Sequence, residues 1–290
     1  MVKPLLISMR PKQWSKNLFV FAGIIFSQSL LDLRLLLLSI FGFILFCLLS
    51  SSVYLFNDVM DYKEDSKHPT KSKRPIASGA LSRTVALAFA AIFAVVGLVL
   101  SFLLSIEFGA AAASYAGLMF FYSLFLKKAM IVDVLAISAG FVLRAAAGAV
   151  AIDVHISSWL LICTGLLALF LGLSKRRHEL VILEEEVSQH RVALSGYSPR
   201  VLDQMISVVT ASTVMAYALY TVSAETVAKF GTRLLGLTIP FVLYGIFRYL
   251  YLVHIKGEGG SPERSLLHDR PLLIDIFLWV VTAGLILYLK

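Results

Sequence analysis

A chain of 290 residues with 59% hydrophobic and only 15% charged side chains cannot hide its apolar surface in a soluble core, because soluble domains hold about 25% charged residues. The net charge of +8 does not point to nucleic acid: the basic residues fall between apolar blocks, and no helix-turn-helix, zinc-finger spacing or RNP-like aromatic pattern accompanies them. Cys47 and Cys163 sit inside apolar runs and read as small buried hydrophobes, which excludes a disulfide framework and a cysteine metal site.

In chain order, Lys3, Arg10, Lys12 and Lys16 precede the first apolar stretch. No small-x-small cleavage site follows Phe26 and further apolar blocks come after it, so this reads as a retained first helix. The amphipathic segment Met9 to Lys16 leads into it along the interface. Blocks long enough to cross a bilayer fall near 18–31, 35–60, 85–106, 108–126, 132–151, 158–176, 202–224, 232–254 and 271–289. They predict an all-α polytopic membrane bundle of about nine transmembrane helices. No short repeat and no linker divides the chain, so residues 1–290 read as one integral membrane catalytic domain with loops at about 61–84, 127–131, 177–201 and 255–270. Most Lys and Arg residues lie at the N-terminus and in those loops, whereas the other side holds Arg34, Lys229, Arg233 and Lys290. The excess of positive charge puts the N-terminus and the long loops in the cytoplasm, and an odd helix count puts the C-terminus outside.

The most informative stretch follows the second apolar block: Asn57-Asp58-Val59-Met60-Asp61-Tyr62-Lys63-Glu64-Asp65. Asp58, Asp61 and Asp65 are spaced i, i+3, i+7, which on a helix brings them within roughly 60° of one another, with Asn57 on the flank. Three facing carboxylates repel, and they stand at a helix C-terminus, the wrong end of the dipole for negative charge. The bland alternative is a solvated helix end marking the membrane boundary. The functional one is a Mg²⁺ site, since hard oxygen ligands suit an ion that bridges a few carboxylates to substrate phosphates.

Cations follow at Lys67, Lys71, Lys73 and Arg74, positioned either to grip phosphate oxygens or simply to anchor the loop on the cytoplasmic side. Tyr122, Lys127 and Asp133 surround the next short connection. Arg144 lies on the Asp133 face about three turns deeper, lining a cavity or held in an ion pair, with Gly140 and Gly148 allowing close helix approach. The sixth block ends in Ser174-Lys175-Arg176-Arg177-His178-Glu179, where Lys175 and Glu179 are spaced to pair. Glu184 to Glu186 continue as a solvated helix, and His178 reads as a surface residue.

The motif from Asn57 to Asp65 resembles the first Asp-rich motif of the UbiA-type membrane prenyltransferase superfamily, and the helix count and the long loops after helices two and six fit that family. Arg10-Pro11-Lys12-Gln13-Trp14-Ser15-Lys16-Asn17, the run from Asp133 to Gly148, and Lys175 to Glu179 resemble its decaprenyl-phosphate phosphoribosyltransferase branch, known from arabinan synthesis. One departure from the wider superfamily is the basic cluster at Lys175 to Glu179, where aromatic prenyltransferases carry a second DxxxD motif. The resemblance implies a UbiA-type fold and transfer of a 5-phosphoribosyl group from phosphoribosyl pyrophosphate to a polyprenyl phosphate in the bacterial cell membrane. It implies catalytic residues Asn57, Asp58, Asp61 and Asp65, the three aspartates holding Mg²⁺. It also implies phosphate-binding roles among Lys16, Asn17, Lys73, Arg74, Tyr122, Lys127, Asp133, Arg144, Lys175, Arg176 and Glu179. The product would serve as a lipid-linked pentose donor for cell-wall or polysaccharide synthesis. Two other readings stay open: a prenyltransferase with a prenyl diphosphate donor and a small acceptor, and a transporter. Oligomeric state is also open, a homo-oligomer included.

Overall fold

A computed structural model describes residues 2–185, 197–260, 265 and 268–288; Glu186 and Lys290 lie outside the described residues. Among those residues every regular element is helical. The chain forms two compact units, Met1–Ile156 and Ser157–Lys290.

The first unit runs α1 (Val2–Ser8), a 3₁₀ segment (Pro11–Phe21), α2 (Ala22–Phe26), α3 (Leu33–Met60), α4 (Tyr62–Asp65), α5 (Arg83–Leu104), α6 (Ile106–Leu124) and α7 (Val132–Ala151). The second runs α8 (Ser158–Glu185), α9 (Pro199–Val222), α10 (Ala224–Phe230), a 3₁₀ turn (Leu234–Thr238), α11 (Ile239–His254) and α12 (Arg270–Tyr288). Side chains set the helix starts. Asp32 accepts from the Arg34 and Leu35 amides at 2.9 and 3.2 Å, and Ser105 accepts from the Phe108 amide at 3.0 Å.

Seven helices among the described residues are long and apolar enough to cross a membrane, two fewer than the blocks expected from sequence. The two exceptions have separate causes. Helix α6 has 19 residues but carries Glu107, Ser114, Tyr115 and Tyr122, which dilute its apolar character. The block at 18–31 is not one helix: it divides between the 3₁₀ segment, α2 and a turn. The expected interfacial helix from Met9 to Lys16 is also broken, because Arg10 adopts a left-handed conformation (φ 54°, ψ 61°) and Pro11 opens the 3₁₀ segment. Large apolar side chains stay exposed, among them Leu103 at 76% and Phe277 at 65%, as lipid-facing positions should.

A 3₁₀ run of 11 residues is long for that geometry and needs outside contacts to hold it. Gly148 of α7 supplies one. A Cβ built there would stand 1.8 Å from the Val20 carbonyl oxygen, and one on Gly23 would stand 2.7 Å from Ala149 Cα. Two backbones therefore touch where only glycine fits. Around them the core of this unit gathers Phe46, Phe108, Tyr115, Val20 and Ile24, with the Phe46 ring 5.1 Å from Tyr115 and 5.9 Å from Phe108. A smaller cluster of Leu55, Ile76, Leu81, Ala86 and Ala90 buries the loop between α4 and α5 against α3 and α5.

In the second unit, Phe170 of α8 packs edge-on against Tyr249 of α11 at 5.4 Å. The Trp279 indole donates to the Tyr217 hydroxyl at 2.9 Å, and that hydroxyl meets Thr238 Oγ1 at 2.7 Å, joining α12, α9 and the 3₁₀ turn. Arg248 donates twice to Asp269, at 3.0 and 2.8 Å, so a planar fork closes the turn before α12. That hydrogen bonding holds the Asp269 carboxyl below its usual range. The clasp therefore contributes stability above about pH 4 and loses it as pH falls through the depressed value.

Gly148→Ala is expected to lower the thermal unfolding midpoint of the detergent-solubilised protein, through an overpacking cost of about 1–3 kcal/mol. An unchanged midpoint would contradict the backbone contact at Val20.

Candidate active site

The acidic motif ends α3 without ending its hydrogen-bond ladder. Asp61 departs from helical geometry (φ −88°, ψ 5°), yet its amide still donates to Asn57 and the Asp65 amide donates to Asp61 at 2.8 Å. The short helix α4 thus continues the course of α3 around a small kink, and the three carboxylates stay on neighbouring turns.

Each carboxylate is held by a cation from a different part of the first unit. Asp58, 2% exposed, accepts on Oδ1 from Arg10 and, at 3.0 Å, from Arg74. The same Arg74 Nη1 donates to Asp65 Oδ2 at 2.6 Å, so Arg74 bridges the i and i+7 positions. Asp61 accepts from Lys127, and its other oxygen accepts from Asn57 Nδ2 at 3.0 Å. Three buried or half-buried anions would be costly in an apolar surrounding, and these pairs supply the compensation. The loop that delivers Arg74 is fixed by burial: Ile76 and Leu81 sit beneath it at 1% and 3% exposure, and the Leu81 amide donates to the Pro75 carbonyl at 2.9 Å.

Arg10 is the one cation of this cluster that is not among the site residues expected from the sequence. Its guanidinium stacks 5.1 Å above the Tyr54 ring while it binds Asp58. No local pattern singled it out, because its positive φ is imposed by contacts to α3 in the folded chain.

The remaining expected phosphate ligands of the first unit fall into three groups. Lys73 is exposed on the loop beside Arg74, and Tyr122 and Lys16 are half-buried. Asp133, fully buried, lies in the first turn of α7 just beyond the Lys127 connection. Asn17 and Arg144 are 0% and 4% exposed and are committed to each other. Arg144 Nε donates to Asn17 Oδ1 at 2.8 Å, its Nη1 to the Gly140 carbonyl at 2.9 Å and its Nη2 to the Tyr115 hydroxyl at 2.7 Å. Asn17 Nδ2 donates in turn to Ser50 Oγ at 3.1 Å. The guanidinium also stands 4.5 Å over the Tyr115 ring. The expected ion pair is not what this side chain forms: its partners are neutral, and they tie the 3₁₀ segment to α3, α6 and α7.

In the second unit the sequence spacing of Lys175 and Glu179 suggested a pair, but Glu179 accepts from Arg176 at 2.6 Å instead. The i, i+3 geometry brings Arg176 to the same face, leaving Lys175 a half-buried neighbour. Arg177 donates to Asp203 of α9 at 2.5 Å, and His254 meets the same oxygen at 3.1 Å. An open depression of about 830 Å³ lined by Arg200, Asp203, Gln204, Ser207 and Val208 lies on α9 and holds none of the expected residues.

Among the described residues no three of His, Cys, Asp or Glu stand close enough to hold a metal ion as a set. The donor chemistry at the end of α3 nevertheless fits Mg²⁺, which takes one or two carboxylates and completes its shell with water and substrate phosphate rather than an all-protein cage. Asp58, Asp61 and the carbonyl oxygen of Asn57 are such donors.

The model of the UbiA prenyltransferase family matches residues 17–280. Decaprenyl-phosphate phosphoribosyltransferase of Mycolicibacterium smegmatis is 32% identical, over 99% of this chain and 93% of the relative. The enzyme of the same name from Corynebacterium glutamicum is 30% identical, over 97% and 86%. Among solved structures, a UbiA homolog from Archaeoglobus fulgidus bound to GPP and Mg²⁺ superposes with a TM-score of 0.73 at 17% identity, over 98% of this chain and 99% of that one.

Arg144→Gln and Asn17→Ala are each expected to destabilise the first unit by about 1–3 kcal/mol, since each leaves buried polar groups without partners. In a double-mutant cycle read by SDS or thermal unfolding, their effects should couple by about 1 kcal/mol or more. Strict additivity would show that the two side chains do not act together.

Proposed function

Because the chain belongs to the UbiA prenyltransferase family, we propose that it transfers a 5-phosphoribosyl group from phosphoribosyl pyrophosphate to a polyprenyl phosphate, releasing diphosphate. The observation that carries this reading is the interleaving of Asp58, Asp61 and Asp65 with Arg10, Arg74 and Lys127 at one helix end, in a chain similar over nearly its full length to enzymes named for that transfer.

Asp58 and Asp61, with Asp65 and Asn57 beside them, would hold Mg²⁺, whose contribution is to neutralise charge on the leaving diphosphate. Arg74 and Lys127 already point at these carboxylates, so a short side-chain movement brings their N–H groups onto diphosphate oxygens. Exposed Lys73 stands on the same loop as a further donor. In the reaction the bond between the ribose C1 and the diphosphate oxygen breaks, and positive charge builds on the ribose. A phosphate oxygen of the lipid forms the new bond from the opposite face and inverts C1. The lipid phosphate is anionic at neutral pH, so no side chain has to remove a proton, and the protein's part is positioning and electrostatic stabilisation.

On α8, Arg176 and Lys175 supply cations where a second acidic motif would serve a prenyl diphosphate donor, and Glu179 is tied to Arg176. This favours a donor that brings a phosphate beyond its diphosphate over the prenyltransferase alternative. The distribution of Lys and Arg favours a bacterial cytoplasmic membrane location with the acidic motif facing the cytoplasm.

Asp61→Ala in reconstituted protein is expected to abolish Mg²⁺-dependent diphosphate release, and activity near wild type would remove the site from this helix end. The donor is checked separately. Labelled phosphoribosyl pyrophosphate left intact by wild-type protein with Mg²⁺ and polyprenyl phosphate, while a prenyl diphosphate is consumed, would overturn the choice of donor.

A further inference from the structure

The charges at the end of α3 cancel before any ligand arrives: Asp58, Asp61 and Asp65 face Arg10, Arg74 and Lys127. Arg10 differs from the other two cations in how it is held. Its backbone is at φ 54°, a conformation that costs a non-glycine residue about 1–3 kcal/mol and persists only where the surroundings impose it. Behind it, Trp14 donates to Ser51 Oγ at 3.1 Å, and the Met9 carbonyl lies 3.3 Å from the same hydroxyl, whose shorter bond of 2.7 Å goes to the Cys47 carbonyl, so α3 contacts the chain on both sides of Arg10. Ahead of it, the guanidinium lies over Tyr54 and closes on Asp58. Its side chain is 26% exposed while that of Asp58 is 3% exposed, so an incoming ligand meets the arginine first.

A divalent ion that took Asp58 by itself would displace Arg10 and raise the local charge by two, with no acceptor offered to the guanidinium. A ligand carrying a diphosphate removes both penalties, because its oxygens receive the displaced N–H groups. We infer that Arg10 is an exchangeable counter-ion: it occupies Asp58 in the free protein, passes to a diphosphate oxygen of the donor when the ion binds, and so makes metal and diphosphate binding mutually dependent. The inference rests on the transferase reading above and adds to it a residue and an order of preference. Arg74, which bridges Asp58 and Asp65, can stay on Asp65 through the exchange; Arg10 has no second carboxylate among its partners. The dependence is reciprocal, since any factor by which pyrophosphate tightens Mg²⁺ binding must equal that by which Mg²⁺ tightens pyrophosphate binding.

Isothermal titration of the full detergent-solubilised chain tests this, using MgCl₂ alone and inorganic pyrophosphate with and without MgCl₂. Wild type should bind Mg²⁺ alone weakly and the two together cooperatively. Arg10→Gln should bind Mg²⁺ alone about fivefold or more tighter, because Asp58 has lost a competitor. It should bind magnesium pyrophosphate about tenfold more weakly, because a charge-assisted hydrogen bond is gone. Arg10→Lys should restore most of the second loss. The opposed signs separate exchange from a structural role, which would weaken both. If wild type binds magnesium pyrophosphate and Arg10→Gln leaves both affinities unchanged, or shifts both the same way, the counter-ion role is overturned and the transferase reading stands. If wild type binds no magnesium pyrophosphate at all, the transferase reading fails and this inference falls with it.

Discussion

The first unit is organised around the cost of placing carboxylates at the end of a long apolar helix. An ionised carboxylate in such surroundings loses several kcal/mol of hydration unless cations and hydrogen bonds replace the water. Asp58 recruits Arg10 from the N-terminal segment and Arg74 from the loop before α5, and Asp61 recruits Lys127 from the connection between α6 and α7. Segments remote in sequence are thus drawn to one helix end by the same electrostatic demand. The apolar anchors of the loop, Ile76 and Leu81, convert that demand into a fixed position for Arg74.

A second arrangement, deeper in the same unit, holds the N-terminal segment in its unusual form. Three consecutive serines of α3 turn to different partners. Ser50 receives Asn17, Ser51 receives Trp14, and Ser52 donates to the Ala90 carbonyl of α5 at 2.6 Å. Small hydroxyls let elements approach closely and give each a hydrogen bond in an environment without water. Together with the Gly148 contact they explain why 11 residues keep a 3₁₀ course that isolated chains abandon after one turn. The link to chemistry is direct, because the same segment begins with Arg10.

Much of this was legible beforehand. Apolar block lengths located most of the long helices to within a few residues, since bilayer thickness leaves little choice of length, whereas α8 runs past its apolar block at 158–176 into the expected loop, to Glu185. The spacing of Asp58, Asp61 and Asp65 marked three carboxylates that gather at one helix end, and Gly148 marked a close approach. What escaped was decided by tertiary contacts that no local pattern encodes. The first block looked like a helix because its composition is apolar, and the break at Arg10 comes from contacts to α3 forty residues away. Arg144 was legible as an intramembrane charge, but its partners, an amide, a phenol and a carbonyl from three elements, were not. The Arg176–Glu179 pair won over Lys175–Glu179 although both spacings are allowed on a helix.

Arg144 has one consequence beyond packing. It stands about 18 Å along α7 from the start of that helix, past the middle of a hydrocarbon layer roughly 30 Å thick. None of its three hydrogen-bond acceptors carries a formal negative charge, so its positive potential persists in the surrounding low dielectric. A cation buried in this way is tolerated only while the amide, the carbonyl and the phenol all accept from it, so the three elements that supply them must stay together for the unit to remain folded.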